Sequence, residues 1–381
     1  MHSHSRRGFL ARMLGGAWTA ATLFERATLV AARARAQSNA PLPVLFDIEK
    51  VADGIYAAVA RGRALINSNA AIFENDKDLL IVDAHSAPSA VFALVAQIRR
   101  EITAKPVRYV VATHLHGDHT QGLPGYKQIA PAADIIASTK TRSLMVEAGP
   151  SRLKSAVDAI PASIENLTRR LAAVKTAAEK AWCQEMISQS RAFLEEMRNV
   201  AVELPNVTFD DQLTLHDKAH DLHLSFRGRG HTAGDIVVFC PSKKVVASGD
   251  LLHSFFPTIG DGYPREWPGT LRSIQELEFQ KVIGGHGSVL DRPGRAAQMR
   301  AYLEELGEIV ARAKQDGTPL ERLQQTVTPA SLKSLQAGYG DYLTDSVKKH
   351  DFRLQLNTPA EVMARGVRDN VTAVFRNFDR A

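Results

Sequence analysis

Cysteine is nearly absent from this chain of 381 residues; there are two, Cys183 and Cys240. A chain of this length with two cysteines has no disulfide framework. Neither lies in a ligand-like cluster, so both are expected to pack as small apolar side chains. Long hydrophobic runs are missing as well. The apolar stretch from Met13 to Phe24 is too short and too interrupted for a stable membrane span. A basic stripe is also lacking. The net charge is +6, but Arg6, Arg7, Arg12, Arg26, Arg33 and Arg35 against the one acid Glu25 place +5 of it in residues 1–36. Residues 37–381 are therefore near neutral, which argues against nucleic acid or an anionic membrane as partner.

What is present is ample core material. Hydrophobic residues make up 45% of the chain, enough for one large domain or two modest ones. The N-terminus accounts for the basic excess. Its "SRRGFLARM" resembles a twin-arginine export signal, with Ala11 where that pattern often has Lys. Ala34-Arg35-Ala36 offers a small-x-small cleavage site before Gln37. Residues 1–36 are thus expected to be a signal peptide handled by the twin-arginine export machinery, and the mature protein to be periplasmic or secreted. That route carries folded proteins, which suits a chain that takes up metal first.

From Val44 onward, short apolar runs alternate with turn residues. "VLFDIEKV", "GIYAAVA", "ALINSNAAIFE" and "DLLIVD" read as strands. Val91, Leu94, Val95 and Ile98 mark one face of a helix that Pro88 begins. "VRYVVAT" reads as a buried strand running into His114. Residues 139–205 lack strand patterns and read as an inserted helical hairpin or kinked helix. Ile164, Leu167, Leu171, Val174, Ala178 and Ala181 are expected along one face, followed by a shifted register at Met186, Phe193 and Met197. Strands resume with "LTLHD", "LHLSFRG", "DIVVFC" and "KVVASGD". A helix over "GTLRSIQELE" and a strand over "KVIGGHG" follow. Residues 291–381 read as a helical extension. Its last helix starts at the capping box Thr358-Pro359-Ala360-Glu361 and runs to about Phe375.

The densest chemistry lies in "THLHGDH", where His114, His116, Asp118 and His119 fall within six positions. Solvated loop residues could produce an HxH by chance; four candidates after a buried strand are much harder to explain that way. Imidazole and carboxylate together suit Zn²⁺, with Fe or Mn as alternatives. One ion seldom draws every ligand from so short a loop. Three further candidates stand at strand ends or in glycine-rich turns: His231 in "GRGHTAGD", Asp250 in "KVVASGD" and His286 in "KVIGGHG". Five His and two Asp are too many for one tetrahedral site and suit two adjacent ions.

Taken in order, "THLHGDH", "GRGHTAGD", "VVASGDLL" and "VIGGHG", with "LLIVDA" upstream, resemble the metallo-β-lactamase superfamily over roughly residues 44–290. The resemblance implies an α/β fold, the αββα four-layer sandwich, carrying the helical insertion and the helical C-terminal extension. It implies that His114, His116 and His231 bind a first zinc, that Asp118, His119 and His286 bind a second, and that Asp250 bridges both. A bridging Asp is similar to glyoxalase II, the lactonases and the tRNA-processing nucleases. Many true β-lactamases of the superfamily have Cys at that place.

The expected mechanism is hydrolysis of a small-molecule substrate by a metal-bridging hydroxide, between ions about 3.5–4 Å apart. Asp118 would hold the second ion, orient the hydroxide and relay a proton. The bond would be an ester, thioester, lactone or β-lactam. A true periplasmic β-lactamase is the nearest rival, and export weighs against a nuclease. From other classes come a di-iron redox protein and a non-catalytic metal-binding accessory protein on the same fold. Asp83 is expected to support the ligands from behind. His85 stays out of the ligand set, and His253 is expected to pack rather than line the site. His216, His220 and His223 form no ligand set. Phe255, Phe256, Tyr263 and Trp267 either rim the substrate site or pin their loop down.

Overall fold

Most of the apolar runs do form strands, and they divide between two sheets. Residues 43–62, 67–291, 294–350 and 357–380 are described in this computed structural model; the signal peptide expected at residues 1–36 lies outside them. The first sheet holds β1 (Phe46–Ala52), β2 (Ile55–Ala60), β3 (Ala70–Glu74), β4 (Leu79–Val82), β5 (Val107–Val111), β6 (Asp134–Ser138) and β7 (Val207–Phe209), in sequence order. Pairing is antiparallel from β1 to β4 and parallel from β4 to β7. The change follows from the connections. Short turns join neighbours antiparallel, while parallel neighbours need a crossover, here α1 (Pro88–Glu101) between β4 and β5.

The next helices are α2 (Gly117–Thr120), α3 (Leu123–Ile129), α4 (Thr139–Ala173) and α5 (Ala177–Met197). The second sheet holds β8 (Gln212–Leu215), β9 (Leu222–Phe226), β10 (Ile236–Cys240), β11 (Val245–Gly249) and β12 (Lys281–Gly284), ordered β12-β11-β10-β9-β8. Its parallel pair, β11 and β12, is joined through α6 (Trp267–Gln275). The chain continues with α7 (Gly294–Gln315), α8 (Leu320–Thr326), α9 (Gly340–His350) and α10 (Pro359–Asn377). Neither α3 nor β6 was expected. Both are short and lie in "GLPGYKQIAPAADIIAS", where Pro and Gly leave no lasting period to read.

Side chains alternate across each strand and sort into three apolar layers. Ile55, Val59 and Phe73 meet Leu224, Ile236 and Val238 between the sheets. Ile72, Ile81 and Val110 face outward onto Val91, Leu94 and Ile98 of α1 and Tyr126 of α3. Val237, Val246 and Val282 on the far side of the second sheet meet Leu271, Tyr302, Leu306, Leu343, Val367 and Val371. Helix, sheet, sheet and helix thus stack as an αββα sandwich. Helices α7 to α10 share one core with the second sheet, and the described residues from Val44 onward form one compact unit. Thr358 and Glu361 make the reciprocal capping box that starts α10, as expected.

The insertion is a hairpin of α4 and α5, broken at residues 174–176. Thr176 and Glu179 form a second capping box, which stops α4 from continuing. The apolar series expected along one face therefore crosses the break, and Ala178 and Ala181 are exposed. Leu153, Phe193 and Met197 pack onto Ala87 at the start of α1. The amide and hydroxyl of Ser89 both donate to Glu196, at 2.7 and 2.6 Å. Cys183 and Cys240 are buried and free, as expected. No described helix is long and apolar enough to cross a membrane.

Candidate metal centre

One edge of the sandwich collects all seven residues. His114 follows the end of β5, and α2 carries Asp118 and His119 directly after it. Asp250 follows β11 and His286 follows β12, two parallel strands that end together. His231 precedes β10, whose start lies beside the end of its antiparallel neighbour β11. Two glycines make the approach feasible. Gly249 has φ +51°, where a side chain would be strained. A Cβ on Gly285 would fall 2.1 Å from Asp250 Oδ1.

The side chains converge closely. Among the described residues, His114, His116 and His231 form one group of facing ligand atoms, and Asp118, His119 and His286 form another. A third group joins Asp250 to His114 and His119. In the first group, His116 Nδ1 lies 3.2 Å from His114 Nε2 and 2.8 Å from His231 Nε2. In the second, Asp118 Oδ2 is 3.1 Å from His286 Nε2 and 3.5 Å from His119 Nε2. Asp250 stands between them. Its Oδ2 is 3.4 Å from both His231 Nε2 and His286 Nε2, and its Oδ1 is 3.5 Å from His119 Nε2.

Behind this cluster, outer partners fix four of the imidazoles. His119 Nδ1 donates to Asp83 Oδ2 at 2.7 Å, and His231 Nδ1 donates to the Thr258 carbonyl at 2.8 Å. His116 Nε2 donates to Asp261 Oδ2 at 2.8 Å. His114 Nδ1 donates to Thr113 Oγ1 at 2.9 Å, and that hydroxyl passes its own proton to Asp83. Each ring turns one nitrogen outward to this partner and the other into the cluster. Asp83 is buried and also accepts from the Thr113 amide at 2.9 Å, so it sits behind the clustered imidazoles, where its place in "LLIVDA" suggested. Its φ of +69° is unusual for a non-glycine residue and turns the chain sharply after β4.

The cluster is electrostatically demanding. Burial and the neighbouring rings hold His114 well below its ordinary value, and burial above all lowers His231 to about 3. Burial also opposes charge on His286, but Asp250 and Asp118 overcome it and raise the ring to about 10. His119 goes up likewise, against burial, through Asp83, Asp118 and Asp250. Asp118 and Asp250 stay ionised despite burial because these imidazoles face them. Two carboxylates, Asp250 buried and Asp118 half-buried, thus call for positive charge at one spot.

A cavity of about 570 Å³ opens onto His116, Asp118, His231, Asp250 and His286. Phe255 and Phe256 line it, whereas Trp267 is fully buried and donates its indole N–H to the Leu251 carbonyl. Tyr263 is buried under Arg229 and Arg380. The aromatic loop therefore splits between rim and anchor. His253 is buried and lines the cavity; its Nδ1 accepts from the Phe255 amide at 3.1 Å. His85 is buried against Phe46, and His216, His220 and His223 join none of the ligand groups.

Three residues were not legible beforehand. Asp261 is held low by its bond from His116 and by Arg152, whose guanidinium lies 2.7 Å from the same oxygen. Arg152 belongs to α4, so the insertion touches the partner of a cluster histidine. Asn69 donates from one amide to the carbonyls of Gly284 and Gly287, at 2.9 and 2.8 Å, and so fastens β3 to the His286 turn. A lone Asp between glycines was the faint signal for Asp261; Arg152 and Asn69 gave none.

These groups suit divalent metal. Atoms about 2.0–2.1 Å from one tetrahedral zinc lie roughly 3.3 Å apart, close to the spacings within each group. His119 Nε2 and Asp250 Oδ1 are buried without a hydrogen-bond partner, as ligand atoms would be.

Comparison with known proteins agrees. The sequence model of the family described as the metallo-beta-lactamase superfamily matches residues 64–286. The metallo-beta-lactamase type 2 of Elizabethkingia meningoseptica is 28% identical over 91 residues, 22% of this chain. That match spans 36% of the relative's own length. Among solved structures, the DIM-1 metallo-beta-lactamase is similar with a TM-score of 0.49 and 20% identity, covering 68% of this chain and 97% of that one. A metallo-beta-lactamase from Pontibacter korlensis is similar with a TM-score of 0.48 and 16% identity, covering 67% of this chain and 98% of that one. With more than half of its length matched to the family model, and the two-sheet sandwich around the matched motifs, the chain belongs to the metallo-beta-lactamase superfamily.

Proposed function

We propose that this protein is a dinuclear zinc-dependent hydrolase that cleaves an ester, thioester, lactone or β-lactam bond in a small molecule. One observation supports it most: four imidazoles, three of them buried and His116 half-buried, commit one nitrogen outward and turn the other into a cluster that holds two carboxylates. His114, His116 and His231 would hold one ion, Asp118, His119 and His286 the other, and Asp250 both. Imidazole and carboxylate together suit zinc, with iron or manganese as the alternatives. Divalent metal there supplies Lewis acidity and draws the pKa of water toward neutrality.

The chain's own residues do the rest. Asp118 is the most exposed carboxylate of the cluster and lines the cavity. It is placed to take a proton from an attacking water and hand it to the leaving group. Asp250 keeps the two groups at a common distance. Phe255 and Phe256 give the cavity an apolar side against which the body of a substrate could rest. No Ser or Cys nucleophile is needed. Export through the twin-arginine route belongs to the same reading, and fusing residues 1–36 to a folded reporter tests it: cytoplasmic retention would refute it.

Metal analysis of purified protein should give about two zinc ions per chain. One or none would remove the dinuclear assignment. A panel of nitrocefin, a lactone, a thioester and a phosphodiester then selects the bond. Turnover of the phosphodiester alone would overturn the acyl-type reading.

A further inference from the structure

The cavity has a floor and walls of separate origin. The floor is the histidine and carboxylate cluster. One wall is the loop carrying Phe255 and Phe256, and another comes from Val347 of α9 and Val362, Arg365 and Asp369 of α10. The C-terminal helices therefore face the place where a substrate would sit.

Among the described residues, two guanidinium groups line this cavity, and they are not equivalent. Arg61 is engaged, since Asp47 Oδ1 accepts from its Nε at 3.0 Å and its Nη2 at 2.6 Å. Arg365 contacts Asn357 Oδ1 at 3.4 Å and forms no ion pair among the described residues. Glu361, one turn before it, is committed to the capping box with Thr358. Asp369, one turn after it, is exposed at the same wall and limits how much negative charge can settle there. Next to Arg365 stands Gly366, where a Cβ would meet the Phe256 ring at 2.7 Å. Glycine inside a helix costs about 1 kcal/mol relative to alanine. Here it lets the Phe256 ring lie directly against α10 one residue from Arg365, whose guanidinium has fork geometry to offer.

From this we infer that the substrate carries a carboxylate read by Arg365, with its apolar body against Phe255, Phe256, Val347 and Val362 and its scissile bond over the floor. Arg365 is then a specificity-determining residue on the C-terminal extension. The inference rests on the hydrolase reading for the scissile bond, but the carboxylate subsite can be measured without turnover.

The test pairs an acid with a neutral compound of the same shape. Isothermal titration of the metal-loaded, full-length protein with 4-phenylbutanoate and with 4-phenylbutanol should show tighter binding of the acid. Arg365→Gln should weaken the acid about fivefold to tenfold and leave the alcohol unchanged. Arg365→Lys should keep part of the preference, and Asp369→Asn should tighten the acid. In kinetics, Arg365→Gln should raise KM for the mono-4-nitrophenyl ester of glutaric acid and leave kcat and the 4-nitrophenyl pentanoate values in place. No preference for the acid in the wild-type protein would overturn the inference. So would an Arg365→Gln variant that binds the acid as before, because the carboxylate would then be seated on the metal floor. A loss of both ligands would assign Arg365 to folding instead. If neither ester is turned over, the hydrolase reading fails for these bonds and the titration still decides the subsite.

Discussion

The floor of the cavity and its walls are held by different forces. On the floor, four imidazoles have a named outer partner, two carboxylates sit among them, and His114, His119, His231 and Asp250 are buried. The walls are apolar packing with a few charged groups at the edge: Phe255, Phe256, Val347 and Val362 beside Arg365 and Asp369. A hydrogen-bonded floor fixes the directions in which its inner nitrogens point. A packed wall fixes shape and leaves the edge free to choose what enters. Chemistry and selectivity can thus vary separately on one scaffold.

Breaking the floor should have the largest effect. His116→Ala and Asp118→Ala should each abolish hydrolysis, with circular dichroism unchanged and zinc content reduced. Retained turnover in either would refute the assignment of the floor to catalysis. Breaking the wall should act through stability instead. Leu343 of α9 is fully buried in the core shared with the second sheet. Leu343→Ala should cost about 2–5 kcal/mol in chemical denaturation. A single lower transition is expected, since the helices and the sheet share that core. Two separate transitions would show that the wall folds independently of the floor.

The same contrast explains what could be read from the sequence. The floor was legible because its residues stand in local motifs at strand ends, and "THLHGDH" carries four of the seven in one loop. The strands were legible because the apolar runs are compact and bounded by turns. The walls were not, because Phe256 and Gly366 lie 110 positions apart and only packing joins them. The hairpin break at residues 174–176 was hidden for another reason. The apolar spacing ran through it undisturbed, and a cap decided the matter. Asp261 and Arg152 meet because a loop and an inserted helix happen to adjoin, which no local pattern records.

The supports of the floor rank below the cluster residues themselves. Asp83 holds both His119 and the Thr113 that orients His114. Asp83→Asn keeps the shape and removes the acceptor for one of these donors. Zinc affinity, measured by competition with a chelator, should fall about 10- to 100-fold. An unchanged affinity would mean that the inner nitrogens are aimed by packing alone.

Asp261 and Arg152 give the finest comparison, because they lie where the floor meets its surroundings. Asp261 accepts from His116 directly, and three outside contacts hold its loop. Arg152 of α4 pairs with its carboxylate, Arg380 donates to its carbonyl at 2.7 Å, and Asn377 donates to the carbonyls of Ile259 and Gly260. If the direct bond matters more than the clamp, Asp261→Asn should weaken zinc binding about tenfold, near the lower end for such outer partners. Arg152→Gln should do much less. Arg152 is 44% exposed, so water screens its pairing with Asp261 and the bond is worth under about 1 kcal/mol, or less than about fivefold. The double variant should then match Asp261→Asn alone, since Arg152 can act on His116 only through the carboxylate. An Arg152→Gln effect as large as that of Asp261→Asn would reverse this order. It would make the inserted hairpin, rather than the loop, the element that sets the geometry of the floor.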